Sequence, residues 1–240
     1  MILSELIQRS PVRIFENSIH GGLGSGEIGI IASKAGIGKT SVLVQLAMDK
    51  LLQGKKVIHV SYTQHTHHVF SWYEDIFDEF INKKDLENVG DIKNDIVKNR
   101  VVMNFNQDGM PMDQVMKSLR AMIVEGGFKA ESVIIDGFDF LRAGREHCLL
   151  TSLAGVKAFA GELGLSVWYS CTVDDEAMRY DKQNIPLAVK DFFNLIDIII
   201  TLEPDHDHID LYVSKDRDSC DTHTLSMRLD PKTLLIREGG

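Results

Sequence analysis

Lys39 and Thr40 close a run of mostly small residues, Ser33-Lys34-Ala35-Gly36-Ile37-Gly38, and Ser41 follows them. An amine and a hydroxyl directly after such a run are what a polyphosphate with a bound cation requires. Glycine and alanine let main-chain N–H groups close around the anion without Cβ clashes. A helix starting near Lys39 would point its free N–H groups and the positive end of its dipole at the same charge. Lys39 would reach the β- and γ-phosphates, and the Thr40 hydroxyl would hold Mg²⁺. The strict pattern G-x-x-x-x-G-K-[ST] has glycine at its first position, where this chain has Ser33. The expectation from these residues is a bound nucleoside triphosphate, with Ser33 to Ser41 forming its phosphate contacts.

Such a loop works only between a strand and a helix, and the flanking residues have those periods. A β-rich run, Glu27 to Ala32, leads in; Val42, Leu43, Leu46, Ala47 and Leu51 recur at helical spacing behind it. The pattern then alternates. It predicts strands over Ile28–Ala32, Lys56–Ser61, Val101–Phe105, Ser132–Asp136, Ser166–Cys171 and Ile198–Leu202. Helices are predicted over Thr40–Gln53, His67–Lys83, Asp113–Glu125 and Cys148–Leu163. Alternation of this kind predicts an α/β fold with a mainly parallel sheet flanked by helices. Ile209–Lys215, Thr224–Leu229 and Thr233–Arg237 read as short strands joined by polar turns, an antiparallel C-terminal edge. Asp85 to Lys98 is the most polar stretch and reads either as a surface helix pair or as a mobile excursion.

Ligands of parallel sheets sit at the carboxyl ends of the strands, so the residue after each strand is a candidate. Val133-Ile134-Ile135-Asp136 ends in an acid. Asp136 would either cap the next turn or, beside a phosphate loop, hold Mg²⁺ or its water shell, and the second reading is the stronger one. Asp139 is a weaker candidate for that shell.

The chain has 240 residues, 44% hydrophobic and 25% charged, enough for one α/β domain over 1–240 with no composition break. No apolar run is long enough to span a bilayer, and the start of the chain shows no basic-then-apolar pattern. Cys148, Cys171 and Cys220 are odd in number and widely spaced, which suggests neither a disulfide framework nor a zinc knuckle. A cytoplasmic location is the default expectation, with no membrane partner. The net charge of −9 lowers the expectation for DNA or RNA, whose binding draws on cations.

Gly21-Gly22-Leu23-Gly24-Ser25-Gly26-Glu27, running into the strand and the loop, resembles the entry to RecA-like ATPase domains of the KaiC, RadA and DnaB families. The loop Ala32 to Thr40 is most similar to the DnaB type, which also lacks a strict first glycine. Val133 to Asp136 resembles that family's Walker B strand. Asn184 to Leu202 resembles the lead into its late core strand, and Val213-Ser214-Lys215-Asp216-Arg217 its K-x-R element. The resemblance covers roughly residues 12 to 237. It implies a RecA-like fold, ATP with Mg²⁺ as cofactor, and a homo-oligomer, a hexameric ring or a filament. In such assemblies Lys215 and Arg217 would neutralise charge on a neighbour's γ-phosphate. Read from the residues alone, they are equally a basic pair on a solvated edge strand, countering Asp216 and Asp218.

Hydrolysis needs a carboxylate that positions the attacking water, and the family supplies a glutamate after its second strand. Here that position falls on Thr63 or Gln64, after Val57 to Ser61. Neither is a general base near neutral pH; Gln64 would orient a water by hydrogen bonding. Glu74 and Asp75 lie well inside the next helix. Ser170 or Thr172 would sense the γ-phosphate, with Cys171 a buried filler. The expectation is therefore ATP binding with slow or absent hydrolysis, in a nucleotide-dependent switch or assembly module. The alternative is an active ATPase motor on DNA.

Other signals carry less. His65, His67 and His68 form one cluster; His206 and His208 lie among Asp205, Asp207 and Asp210. Each group offers ligands to a transition metal, although polar-loop histidines are ordinarily solvated. His65 also lies near the second-strand corner, where it would contact nucleotide. Phe70, Trp72, Tyr73, Phe77 and Phe80 read as one packed helix face, with a subunit contact as the alternative. Asp174 to Lys190 matches the segment with which DNA-translocating relatives grip a strand, but Asp174-Asp175-Glu176 would repel phosphate.

Overall fold

Period-two alternation divides the central strands between two hydrophobic layers. In β1 (Ile28–Ser33), Ile31 faces one core, while Ile28, Ile30 and Ala32 face the other. β2 (Val57–Ser61) divides in the same way, with Val57 against Ile58 and Val60. β4 (Ser132–Asp136) sets Ile134 against Val133 and Ile135. Both faces of these strands are covered, which is why they read as unbroken apolar runs. The computed structural model of the chain describes residues 7, 10–82, 89–105, 112–140, 149–173, 180–183 and 185–239.

Among these residues nine strands form one sheet in the order β3-β2-β4-β5-β1-β6-β7-β8-β9. β3 (Arg100–Asn104), β2, β4, β5 (Ser166–Thr172), β1 and β6 (Ile198–Asp205) pair in parallel. β7 (His208–Asp216), β8 (His223–Leu229) and β9 (Ile236–Glu238) continue the sheet antiparallel. The fold is therefore α/β and mostly parallel, with the expected antiparallel strands at its C-terminal edge.

One layer of helices holds α1 (Pro11–Ser18), α2 (Lys39–Leu52), α3 (Thr66–Asn82) and α4 (Val89–Lys98). The other holds α5 (Met112–Arg120), α6 (Leu149–Leu163) and a 3₁₀ segment, Leu187–Leu195. α2 has neither glycine nor proline inside it and is buried nearly all round, through Val42, Leu43, Val44, Leu46, Ala47, Met48, Leu51 and Leu52. Each large apolar side chain so buried contributes about 1.5–3 kcal/mol. Gly54, at φ 76°, ends the helix by turning the chain left-handed. α1 packs on α2 through ion pairs of Arg13 with Asp49 and of Glu16 with Lys50. On α3, Tyr73 and Phe77 are buried while Phe70 lies under Arg100, so the packed-face reading holds for its centre.

Two elements differ from the sequence expectation. Thr233–Arg237 is not a strand: Asp230 Oδ1 accepts from the N–H groups of Lys232 and Thr233, and the turn delays β9 to Ile236. The helix expected over Asp113–Glu125 is α-helical only to Arg120 and ends in a π turn, Ala121–Glu125. Within the polar stretch Asp85 to Lys98, for which a helix is one expectation, a regular helix occupies Val89–Lys98, and residues 85–88 lie outside the described residues. Cys148, Asn184 and all of Asp174 to Arg179 lie outside the described residues. None of the described helices is long and apolar enough to cross a membrane.

Candidate functional site

β1 delivers its last residue, the fully buried Ser33, to a loop that ends where α2 begins. Gly36 and Gly38 turn this loop at φ 79° and 118°, values that side-chain-bearing residues rarely adopt. Gly38 has a second reason to be glycine, because a Cβ there would lie 2.5 Å from Leu229 Cδ2 on β8. The antiparallel edge thus presses on the loop. Gly38 is also the N-cap of α2 and brings no side-chain acceptor, so the first turn of the helix is uncapped by any side chain.

Lys39 folds back into the loop. Its Nζ donates to Lys34 O at 2.8 Å, Ser33 O at 3.1 Å and Ser33 Oγ at 3.3 Å. Burial lowers the ammonium pKa from its usual value, with Cys171 and Asp136 opposing. Oxygens of the loop therefore satisfy a desolvated cation at the place where an anion's oxygens would compete for it. Beside it, Thr40 Oγ1 donates to Asp136 Oδ2 at 2.8 Å. Adjacent ligands of an octahedral Mg²⁺ with bonds near 2.1 Å stand about 3 Å apart. Thr40 and Asp136 already hold that spacing.

Asp136 is buried, and its surroundings are built from the ends of three strands. Tyr62 N donates to Asp136 O, and Gly137 N donates to Ser170 Oγ at 2.7 Å. Gly137 turns at φ 81°, and a Cβ on it would lie 2.6 Å from Thr63 Oγ1 and Cγ2. The corner after β2 therefore lies against the corner after β4. Gln64 is anchored through its main chain: its N–H donates to Ser61 Oγ, and its carbonyl accepts from Asn104 Nδ2. Its side-chain Oε1 is buried without a hydrogen-bond partner. Thr63, Gln64 and His65 line a cleft with His68, Ser71, Trp72 and Asp75. Asp75, set aside on its distance along the sequence, lines the same cleft. It lies nine residues into α3, about 14 Å along the axis at 1.5 Å per residue.

Ser170 is committed to Gly137, and Thr172 pairs with Ser33 and is exposed at the end of β5. Cys171 is fully buried, and burial pushes its thiol up to about 12, as a packing residue requires. Asp139 is exposed.

Lys215 and Arg217 are not brought to this loop. β7 runs antiparallel, with Asp216 opposite Ile198 and Ile198 opposite Gly29. That is the far end of β1 from Lys34, about 16 Å along a strand. Both cations have partners in the chain. Lys215 Nζ donates to the carbonyls of Phe193 and Ile196 at 2.7 and 2.6 Å and sits 3.9 Å from the Phe193 ring centroid. Burial lowers its pKa. Arg217 grips Glu27 with two bonds of 2.8 Å and also reaches Asp216 and Gly22 O. The solvated-pair alternative fails equally for Lys215, which is buried.

Sequence reasoning missed α1 and the 3₁₀ segment, although Ser10-Pro11 is a recognisable helix start: Ser10 Oγ accepts from Val12 N. It also missed what secures α2 from the C-terminal side. Leu234 O accepts from Ser41 Oγ and from Gln45 Nε2 at 2.9 Å, and Gln45 Oε1 accepts from Ile236 N. Ser41, expected among the phosphate contacts, spends its hydroxyl there. No known protein family matches this chain, and no curated protein matches it in sequence.

Proposed function

We propose that this chain is a RecA-like P-loop protein that binds ATP with Mg²⁺ and hydrolyses it slowly or not at all, as a nucleotide-dependent switch or assembly module. The observation that carries the reading is the Thr40–Asp136 contact beside the inward-folded Lys39. It unites, from the start of α2 and the end of β4, the two oxygen ligands that a nucleotide-bound Mg²⁺ would take. Main-chain N–H groups of Lys34 to Gly38 and of the start of α2 would hold the phosphates. Lys39 would exchange its carbonyl partners for phosphate oxygens. The bound Mg²⁺ would supply charge neutralisation between the phosphates.

The slow-hydrolysis part rests on the β2 corner. Thr63 stands against Gly137, with Gln64 next to it in the same cleft, and neither carries a carboxylate that could take a proton from water. Assembly through a Lys215–Arg217 finger has less support than binding, since both cations are held within the chain.

The test is titration with Mg²⁺ and a non-hydrolysable ATP analogue. Saturable binding that Lys39→Ala abolishes is the expected result. Equal binding by the parent and Lys39→Ala would remove the reading.

A further inference from the structure

A second group of ligating side chains sits on the β6–β7 hairpin, at the carboxyl end of β6. In the register of the hairpin Asp205 faces His208 and Glu203 faces Asp210, and Asp210 in turn faces Arg228 on β8. Because side chains alternate along a strand, these five residues share one face of the sheet. Asp205, His208 and Asp210 each offer one ligand atom, and the three atoms lie within 4.8 Å of one another.

The placement of His208 gives the group its direction. Its Nδ1 lies 2.8 Å from Asp207 Oδ1, and its Nε2 is the ring nitrogen on the side of Asp205 and Asp210. Nε2 is shielded from solvent and makes no hydrogen bond, although Asp210 Oδ1 lies 3.1 Å away and Asp205 Oδ2 3.9 Å. Glu203 Oε1, on the same face, is also buried without a partner. Buried polar atoms without partners beside two carboxylates are costly, and a metal ion bound among them would satisfy them. The basic side chains nearby are Arg228, 3.3 Å from Asp210 Oδ1, and the exposed His206, 3.7 Å from Asp205 Oδ1. Tyr212 OH donates to Asp210 Oδ2 at 3.5 Å.

We propose that Asp205, His208 and Asp210 bind a divalent transition-metal ion, Zn²⁺ in preference to Mg²⁺. An imidazole nitrogen with two carboxylates suits zinc, whereas Mg²⁺ prefers oxygen alone. Ligands of a tetrahedral zinc at about 2.1 Å stand roughly 3.4 Å apart. The group must therefore close by about an ångström, which rotation of the exposed Asp205 supplies. Asp207 is a positioning residue: through its contact with Nδ1 it would orient the ring, as carboxylates behind zinc-bound histidines do. The ion would cross-link the hairpin strands and is separate from the Mg²⁺ position at Thr40 and Asp136.

The test is titration of chelator-treated protein with Zn²⁺ alone, by calorimetry and by thermal melting, in a His67→Ala/His68→Ala background that removes the other histidine cluster. The expected result is one equivalent bound, a raised melting temperature, and no displacement by excess Mg²⁺. Asp207→Asn should weaken binding about 10-fold or more, His208→Ala further, and His206→Ala little. Circular dichroism of the metal-free variants verifies their fold, and the ¹⁵N shift of His208 Nε2 must move on zinc addition. Zinc binding that survives His208→Ala, or a background protein that binds none, would overturn the assignment.

Discussion

Thr40, at the start of the helix that follows β1, and Asp136, at the end of β4, are joined by a 2.8 Å hydrogen bond although β1 and β4 are separated in the sheet by β5. The bond spans the carboxyl end of the sheet and sets two oxygens at the spacing of neighbouring Mg²⁺ ligands. Thr40→Val should therefore weaken nucleotide binding in the presence of Mg²⁺ by 10-fold or more and have little effect in EDTA. The lost buried hydrogen bond should cost about 1 kcal/mol of stability. Titrations of an ATP analogue with and without Mg²⁺ check both; equal losses in the two buffers would refute the metal role.

Thr63 lies so close to Gly137 that a methyl group on the glycine would lie 2.6 Å from it. Gly137→Ala should destabilise the protein by about 1–3 kcal/mol, because it adds the clash to a positive φ. At the same corner, Thr63→Glu or Gln64→Glu should raise phosphate release above that of the parent. Parent turnover already at the level of active ATPases, or no gain from either substitution, would contradict the reading of this corner.

Arg217 is expected to act on stability rather than on a neighbouring subunit's nucleotide. Its guanidinium holds Glu27 and Gly22 O, which belong to the glycine-rich entry to β1. Arg217→Ala should cost about 1–3 kcal/mol in urea denaturation and leave nucleotide affinity of the folded protein unchanged. A variant with unaltered stability and lost turnover would restore the finger reading.

Much of this was legible because strands buried on both faces leave continuous apolar runs, and an acid or a Gly-Lys-Thr at the end of such a run stands out. Ser132–Asp136 has the same bounds in sequence and structure, and the other five expected parallel strands appear within a few residues. What stayed hidden depends on contacts distant in sequence. Nothing near Gly38 announces that Leu229 packs on it, and nothing near Arg217 announces Glu27, 190 residues away. The turn at Asp230–Leu235 misled because Thr233, Leu234 and Leu235 fit a strand, while the Asp230 carboxylate accepting from Lys232 and Thr233 N–H decides against one.

His59 makes the stability of the fold depend on pH. It sits in β2, completely buried, with Nδ1 3.1 Å from the Tyr73 hydroxyl and Nε2 without a partner. Burial lowers its pKa to about 4, with Arg100 reinforcing and Asp136 opposing. In the unfolded chain the ring titrates near 6.5. The folded form therefore excludes a proton that the unfolded form accepts, so the stabilisation is complete above about 6.5 and falls away as the pH drops towards 4. Between pH 7.5 and pH 5 the loss from this residue should be about 2 kcal/mol. Urea denaturation of the parent and of His59→Leu at both pH values isolates the effect from the other histidines. The leucine variant should lose about 2 kcal/mol less than the parent on acidification; an identical loss in the two proteins would show that His59 is protonated while folded.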